Sequence, residues 1–346
     1  MVTQRKDYLD YLRGLATIAV IVIHVSSQNL YGYYGSISWL IFTVYDGVCR
    51  VAVPLFFMIS GCLFLDKKRE KPIKSLYTVT IKRLVIFLLF WSLIYKMIYV
   101  PFEGTSLKKI GLALSEILMG NTQVHLWYIY AIIGLYIISP VLKVFVNNAT
   151  QKQLLYAIAC CFIFGSIHTF VVEFPSLSFL ANHLSKIKED MEVGYIGYFL
   201  LGYYLDNYEI KKKHRILLYF TGAVGLALSI VMVMWDCMTH YAAMERFWVY
   251  TMPGIYFAAV AVFVFFKYTN CKIKIVDSFL KKVAKYSLGI YGCHMIFIIY
   301  LWMIGFTTFS FHALISVPVI SLVVFVFSVV TSFLIQKIPL VGKYLA

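Results

Sequence analysis

Several things are missing from this chain, and each absence narrows what it can be. It has no Gly-rich phosphate loop, no Cys-x-x-Cys pair, no low-complexity linker and no stretch long and polar enough for a soluble catalytic domain. That removes P-loop nucleotide chemistry and a thiolate metal centre from consideration. The seven cysteines lie in or beside apolar runs, two of them adjacent as Cys160-Cys161, and read as small buried hydrophobes rather than metal or disulfide residues. No cleavable signal peptide is expected: the first apolar run follows Arg5-Lys6 but contains Arg13 and lacks a small-residue cleavage site. Acidic residues are few, 16 against 31 Lys and Arg, for a formal charge of +15. Such an excess raises the question of nucleic acid, but the basic residues fall between hydrophobic segments, a placement that sets membrane topology and contacts anionic lipid. No nucleic-acid partner is expected.

What fills the chain is apolar. It is 61% hydrophobic with a mean hydropathy of +0.81, against roughly 45–50% apolar residues in a soluble globular domain. Ten segments approach the ~20 residues that cross a bilayer: 9–28, 46–65, 82–101, 125–146, 153–172, 192–206, 216–235, 249–267, 285–304 and 312–335. The sixth is short and rich in Gly and Tyr. Residues 106–119 are amphipathic and suit the membrane interface. With the N-terminus inside, 24 Lys and Arg fall on inner segments and five on outer loops, Arg50 and Lys96 lying within spans. An odd number of spans would destroy that asymmetry. The expectation is an all-α polytopic membrane protein of about ten transmembrane helices, both termini cytoplasmic, forming a single domain over residues 1–346.

The most informative residues lie in the first span. Arg13 and His24 are eleven positions apart, which at 100° per residue brings them within about 20° of one line, ~16 Å apart. Asp10, Thr17 and Gln28 fall near that line, and the other faces are Leu, Ile, Val and Ala. A charge near the centre of a spanning helix costs about 2.5–3.5 kcal/mol on insertion scales, so such residues face a protein interior or a wet cavity. A lone intramembrane histidine can simply bond a neighbouring helix. Its alignment with Arg13 and Asp10 favours function: a neutral imidazole that takes a proton from a hydroxyl. Arg13 is either an interfacial anchor or a guanidinium that holds an anionic group. Asp10 is expected to pair with Arg13 and orient it.

Other groups carry weaker signals. Pro54 should distort the second span, and Ser60-Gly61 permits close backbone approach, which packing alone would explain. Arg50 lies toward the outer end of that span, with Asp46 four residues away as a partner. His125, Trp127, Tyr128 and Tyr130 open the fourth span and suit an aromatic belt as well as a site. Glu173, Asp190 and Glu192 are ordinary interfacial carboxylates. His294 in the ninth span is a second histidine at depth, placed either to line a cavity with His24 or to make a structural hydrogen bond.

Taken together these residues resemble the acyltransferase-three family of bacterial membrane proteins. The opening YLDYLRGLATIAVIVIH is similar to that family's signature of Leu-Asp-x-x-Arg-Gly ending in His. VPLFFMISGCLF, IKRL with the following Trp91, HLWYIYAIIGLYIISPVLK, FLLGYYL and SLGIYGCH fit in order over nearly the whole chain. The resemblance implies a ten-helix, multi-pass protein of the bacterial cytoplasmic membrane. It implies O-acylation of cell-envelope glycans or related surface molecules, free or lipid-linked, with acetyl-CoA as donor substrate and no bound cofactor or metal. It gives His24 and Arg13 the roles of the essential histidine and arginine, Arg13 also on the donor. Some members carry an extracytoplasmic hydrolase-like domain. This chain runs only eleven residues past its last expected span, so it is expected either to acylate directly or to work with a separate extracytoplasmic transferase. A related arrangement is the membrane half of some serine racemases. The competing class is a transporter of a small molecule such as an amino acid, without covalent chemistry; no clear inverted repeat supports it.

Overall fold

Backbone amides in a bilayer must be bonded within their own segment, and the apolar runs accordingly fold as helices. The computed structural model describes residues 6–28, 30–69, 72–103, 111, 115–117, 119–120, 122–178, 193–242, 246–269, 273–339 and 341–346. The amphipathic segment expected at 106–119 lies largely outside these residues, as do Asp190 and Glu192. The helices are α1 (Asp7–Ser27), α2 (Ile37–Cys49), α3 (Ala52–Phe64), α4 (Lys82–Glu103), α5 (Trp127–Asn148), α6 (Gln151–Cys161), α7 (Val193–Asn207), α8 (Lys212–His240), α9 (Pro253–Tyr268), α10 (Lys274–Met303), α11 (Ala313–Lys337) and α12 (Gly342–Leu345). Wider π-helical turns enter α4 over Leu76–Ile81 and leave α6 over Phe162–Ile167. Among the described residues, nine helical segments are long and apolar enough to cross a membrane. With the shorter α7, they account for the ten expected spans.

Three expectations change. The second span begins at Ile37 rather than 46, because Ser36 caps the helix by accepting from the Trp39 amide at 3.2 Å. It is broken at Arg50-Val51 into α2 and α3. Pro54 supplies the reason: its ring clashes with the carbonyl four residues back, that of Arg50, and it has no N–H to give. Arg50 therefore stands in the break, about 20 Å along from Ser36, rather than near the outer end. The ninth span starts eleven residues early, at Lys274; a stretch read as a basic loop is the first three turns of α10. The sixth span, α7, has 15 residues, about 22 Å of helix. It is short because protein, not lipid, surrounds it: α3 and α6 pack on it, and Tyr198, Phe199, Leu200, Leu201 and Tyr203 are buried.

Helix α1 is the most enclosed of the crossing segments. Leu12, Ala16, Val20 and Ile23 join a core built with α3, α7 and α9. Ile21 and Val25 join a second core with α2, α8, α10 and α11. Ion pairs and capping bonds gather at one end of the bundle. Lys6 pairs with Asp206 at 2.6 Å and Lys281 with Asp7 at 2.8 Å; Tyr11 donates to Asp277; Lys267 donates to the carbonyls of Leu205 and Tyr208. Arg83 donates to the Ala346 carbonyl at 3.0 Å. Both Lys6 and Ala346 thus sit on the same face, as an even number of crossings requires. At the other face Arg246 holds buried Asp236 and Tyr33 meets Phe309.

The contact between α3 and α7 is set by two glycines. A Cβ at Gly61 would lie 1.9 Å from the Phe199 carbonyl oxygen, and one at Gly202 would lie 2.0 Å from that of Met58. Only the missing side chains let these backbones touch. Gly61→Ala and Gly202→Ala should each destabilise the protein by about 1–3 kcal/mol, measured as a lower unfolding midpoint in detergent. Gly134→Ala on α5, where an added Cβ meets nothing within 4 Å, should leave the midpoint unchanged or raise it.

Candidate active site

The α1 stripe keeps its register, but its members have different fates. Thr17 spends its hydroxyl on the Arg13 carbonyl at 2.8 Å, and Gln28 falls just past the helix end. Arg13 is half-buried and, among the described residues, has no hydrogen-bonded or ion-paired partner; the expected pairing with Asp10 does not form. Its guanidinium instead lies within electrostatic reach of Tyr128 and Tyr136 on α5. Ser60 of α3 stands beside them: the Tyr136 hydroxyl is 3.3 Å from Ser60 Oγ. Gly61, by admitting the α7 backbone, fixes the depth at which Ser60 presents that hydroxyl.

Toward the other face, His24 meets two more histidines. Its ring centroid is 5.2 Å from that of His294 on α10 and 6.0 Å from that of His125, and those two are 5.1 Å apart. His125 lies in the 3₁₀ turn Val124–Leu126 that leads into α5. His294 Nδ1 lies 2.8 Å from the Tyr291 carbonyl oxygen. Tyr291 in turn donates to the His125 carbonyl, and Tyr95 of α4 donates to Gly292 at 2.7 Å while its ring stands 5.0 Å from His125. Gly292 makes this possible, since a Cβ there would strike the Trp91 ring at 2.4 Å. His125 and His294 are 2% and 0% exposed, while His24 is only half-buried, so His24 is the most accessible of the three rings.

The two ends are joined by one column of packed side chains, the shaft. His125, in the turn that leads into α5, and Tyr136 on α5 are eleven residues apart, the same spacing as Arg13 and His24. Histidine faces histidine at one end, and tyrosine faces arginine at the other, ~16 Å away. Aromatic contacts line the way: Tyr291 to Tyr128 at 6.0 Å, Tyr128 to Phe57 at 5.0 Å, Phe57 to Tyr195 at 4.8 Å and Tyr195 to Trp127 at 5.8 Å. A family model described as an acyltransferase domain matches residues 6–337. The chain belongs to the acyltransferase-three family. No curated protein and no solved structure gives a significant match.

In this acyltransferase Arg50 is treated differently from Arg13. Its Nε donates to Asp46 at 2.7 Å, its terminal nitrogen donates to the Trp248 carbonyl at 3.1 Å, and the guanidinium lies over the rings of Trp248 and Tyr250 at 4.9 and 5.3 Å. Tyr250 stacks on Trp127 at 5.7 Å, so the Arg50 group continues the aromatic wall, and Arg50 lies within electrostatic reach of His24. Of the residues singled out from sequence, the structure gathers His24 with His294, Arg13 with Ser60 and Tyr128, and Arg50 with Trp127. It leaves Asp10 apart from Arg13. Sequence reasoning did not single out Tyr136, Tyr250 or Tyr291. Only Tyr136 carried a signal, the eleven-residue step from His125.

Asp46 is fully buried. Removing one partner of such a pair leaves an uncompensated charge, which typically costs about 3–5 kcal/mol. Asp46→Ala should lower the unfolding midpoint sharply, and adding Arg50→Leu to it should restore part of the loss, read from a double-mutant cycle.

Proposed function

We propose that this acyltransferase moves an acetyl group from acetyl-CoA to a hydroxyl of a cell-envelope glycan or related surface molecule, and that it does so in the bacterial cytoplasmic membrane. The observation that carries the reading is the shaft: an arginine with no hydrogen-bonded or ion-paired partner among the described residues at one end and a cluster of imidazoles at the other. The face that carries Lys6 and Ala346 is taken as cytoplasmic because of the Lys and Arg excess there. A pocket of about 570 Å³ on that face is lined by Arg69, Lys143, Phe64 and Leu76. Its cations suit the CoA phosphates, and its Phe64 stacks on Tyr136 at 3.8 Å, which links it to the Arg13 end. The pantetheine arm is long and flexible enough to carry the thioester from there toward His24.

The chemistry follows from His24. It removes the proton of the acceptor hydroxyl as that oxygen attacks the thioester carbonyl. The carbon–oxygen bond forms, the carbon–sulfur bond breaks, and the departing thiolate takes the proton back. Arg13 holds the donor; at ~16 Å from His24 it does not also serve the reacting carbonyl. Arg50, near His24 and held by Asp46, is the cation placed to steady the oxyanion. On the membrane side a groove of about 580 Å³ between α5 and α7 is lined by Trp127, Tyr130, Gly134, Ile138 and Tyr195. It shares Trp127 and Tyr195 with the wall of the shaft, which supports a lipid-linked glycan as acceptor, handed on to a separate extracytoplasmic transferase or used directly.

Purified protein in lipid with radiolabelled acetyl-CoA and candidate lipid-linked glycans tests this. Wild type should release CoA and label the glycan, and His24→Ala, still folded, should do neither. Arg13→Lys should raise the KM for acetyl-CoA at least tenfold, because a lysine keeps the charge but not the planar fork; unchanged KM would remove Arg13 from the donor. Donor left intact by folded wild type across the acceptor panel would turn attention to transport, tested by amino-acid uptake into proteoliposomes.

A further inference from the structure

We propose that His294 is a positioning residue that holds His24 in one tautomer, with its Nε2 as the acceptor for a His24 ring N–H. The proposal rests on the reading of His24 as the base. His294 Nδ1 lies 2.8 Å from the Tyr291 carbonyl oxygen and 3.2 Å from that of Ile290. A carbonyl oxygen only accepts, so Nδ1 carries the proton and Nε2 of the neutral ring is left with a lone pair. That Nε2 is buried, and among the described residues no group bonds to it. A buried acceptor left open in this way is a place kept for a donor.

Distance admits His24 as the donor, as it does His125 at 5.1 Å, and of these two rings only His24 is accessible. Two imidazoles joined by one N–H···N bond of about 2.9 Å have ring centroids about 5 Å apart, and those of His24 and His294 are 5.2 Å apart. A turn of the His24 ring about its own side-chain torsions completes the bond without moving either helix. Once one His24 nitrogen gives its proton to that bond, the other is fixed as the lone pair that meets the acceptor hydroxyl. The same bond steadies the imidazolium when His24 takes the proton, as an orienting group does for the histidine of other acyl-transfer sites. The titratable and charged groups facing this pair are few. His125 approaches His294 edge-on at 5.1 Å. Tyr291 and, through His125, Tyr95 stand beside it, and Arg50 reaches His24 from the break between α2 and α3. On α11, Ser328 spends its hydroxyl on the Val324 carbonyl, and its own carbonyl takes Cys293 of α10.

Steady-state kinetics on the purified enzyme in nanodiscs, with acetyl-CoA and the labelled glycan, reads the role. His294→Ala should lower kcat by about 10²–10³-fold at unchanged KM for acetyl-CoA. The acid limb of its kcat–pH profile should move to lower pH, because imidazolium at His24 has lost its acceptor. His294→Gln, whose amide oxygen reaches the Nε2 position, should recover at least a tenfold part of the loss. A folded His294→Ala enzyme with wild-type kcat, or with reduced kcat and an unmoved acid limb, would overturn the proposal. So would a limb moved by His125→Ala and not by His294→Ala. Nitrogen-15 NMR of histidine-labelled wild type reports the tautomer without turnover: a proton on Nδ1 of His294 is expected, and one on Nε2 sinks the proposal. Absence of turnover in wild type strikes the transfer reading alone, since the NMR result still decides His294.

Discussion

Keeping a guanidinium inside a membrane domain without a counter-charge is the constraint to which the rest of this structure answers. Among the described residues Arg13 has no hydrogen-bonded or ion-paired partner, yet α1 is the most enclosed of the crossing helices. A side chain of this kind costs about 2.5–3.5 kcal/mol to place near a helix centre on insertion scales, and the cost stays low only where polar groups and space meet the charge. Tyr128, Tyr136 and Ser60 supply the polar groups. Helices α1 and α5 face each other through side chains, while the closest backbone contacts of α1 are with α2, α3 and α10. Arg50 shows the alternative solution in the same molecule: a buried carboxylate, a carbonyl and two aromatic faces hold it. One arginine is neutralised by a carboxylate, and the other, among the described residues, has only hydroxyl groups near it.

The irregular parts of the helices serve that arrangement. Pro54 breaks the second span and turns Arg50 toward Trp248 and Tyr250. Gly61 and Gly202 bring α7 against α3, which pushes Phe57 and Ser60 toward α5. Gly292 brings α4 against α10, where Tyr95 and Trp91 brace the turn that carries His294. Each of these sites gives up something in isolation, a helix bond or a packed side chain, and each is adjacent to a residue of the shaft. Local irregularity concentrated at one place is what a functional site imposes on an otherwise consistent sequence.

Much of this was legible in the sequence, and the parts that were not share a cause. The Arg13–His24 stripe lies within one helix, so the 3.6-residue period exposed it. The Asp46–Arg50 pair lies within one turn, and its partnership followed from spacing. His125 and His294 sit on other helices; nothing in a single sequence says that three histidines 24, 125 and 294 residues along will meet, and each alone had an equally good structural explanation. The Asp10–Arg13 pairing failed for the reverse reason: proximity in sequence suggested a bond, while the fold sets the Arg13 guanidinium toward Tyr128 and Tyr136 of α5. Hydropathy also misled at two ends. Lys274, Asp277, Lys281 and Lys282 hid three turns of α10 whose other side packs on α1 at Gly14, and the Tyr- and Gly-rich stretch before Ser36 hid the start of α2.

The two ends of the shaft differ in kind, and the difference fits the reaction. At the Arg13 end the charge is permanent, which suits an anionic donor that must be held for the whole cycle. At the other end three imidazoles lie with centroids 5.1 to 6.0 Å apart. Two unit charges about 5 Å apart in an effective dielectric near 20 repel by about 3 kcal/mol, roughly a hundredfold in occupancy. Two protons on the cluster at once are therefore disfavoured. An acyl transfer from thioester to hydroxyl moves one proton, from the attacking oxygen to the departing sulfur. A cluster limited to one proton is matched to that stoichiometry: it accepts when the hydroxyl attacks, and the open place remaining after the thiolate has taken the proton is the state that begins the next cycle.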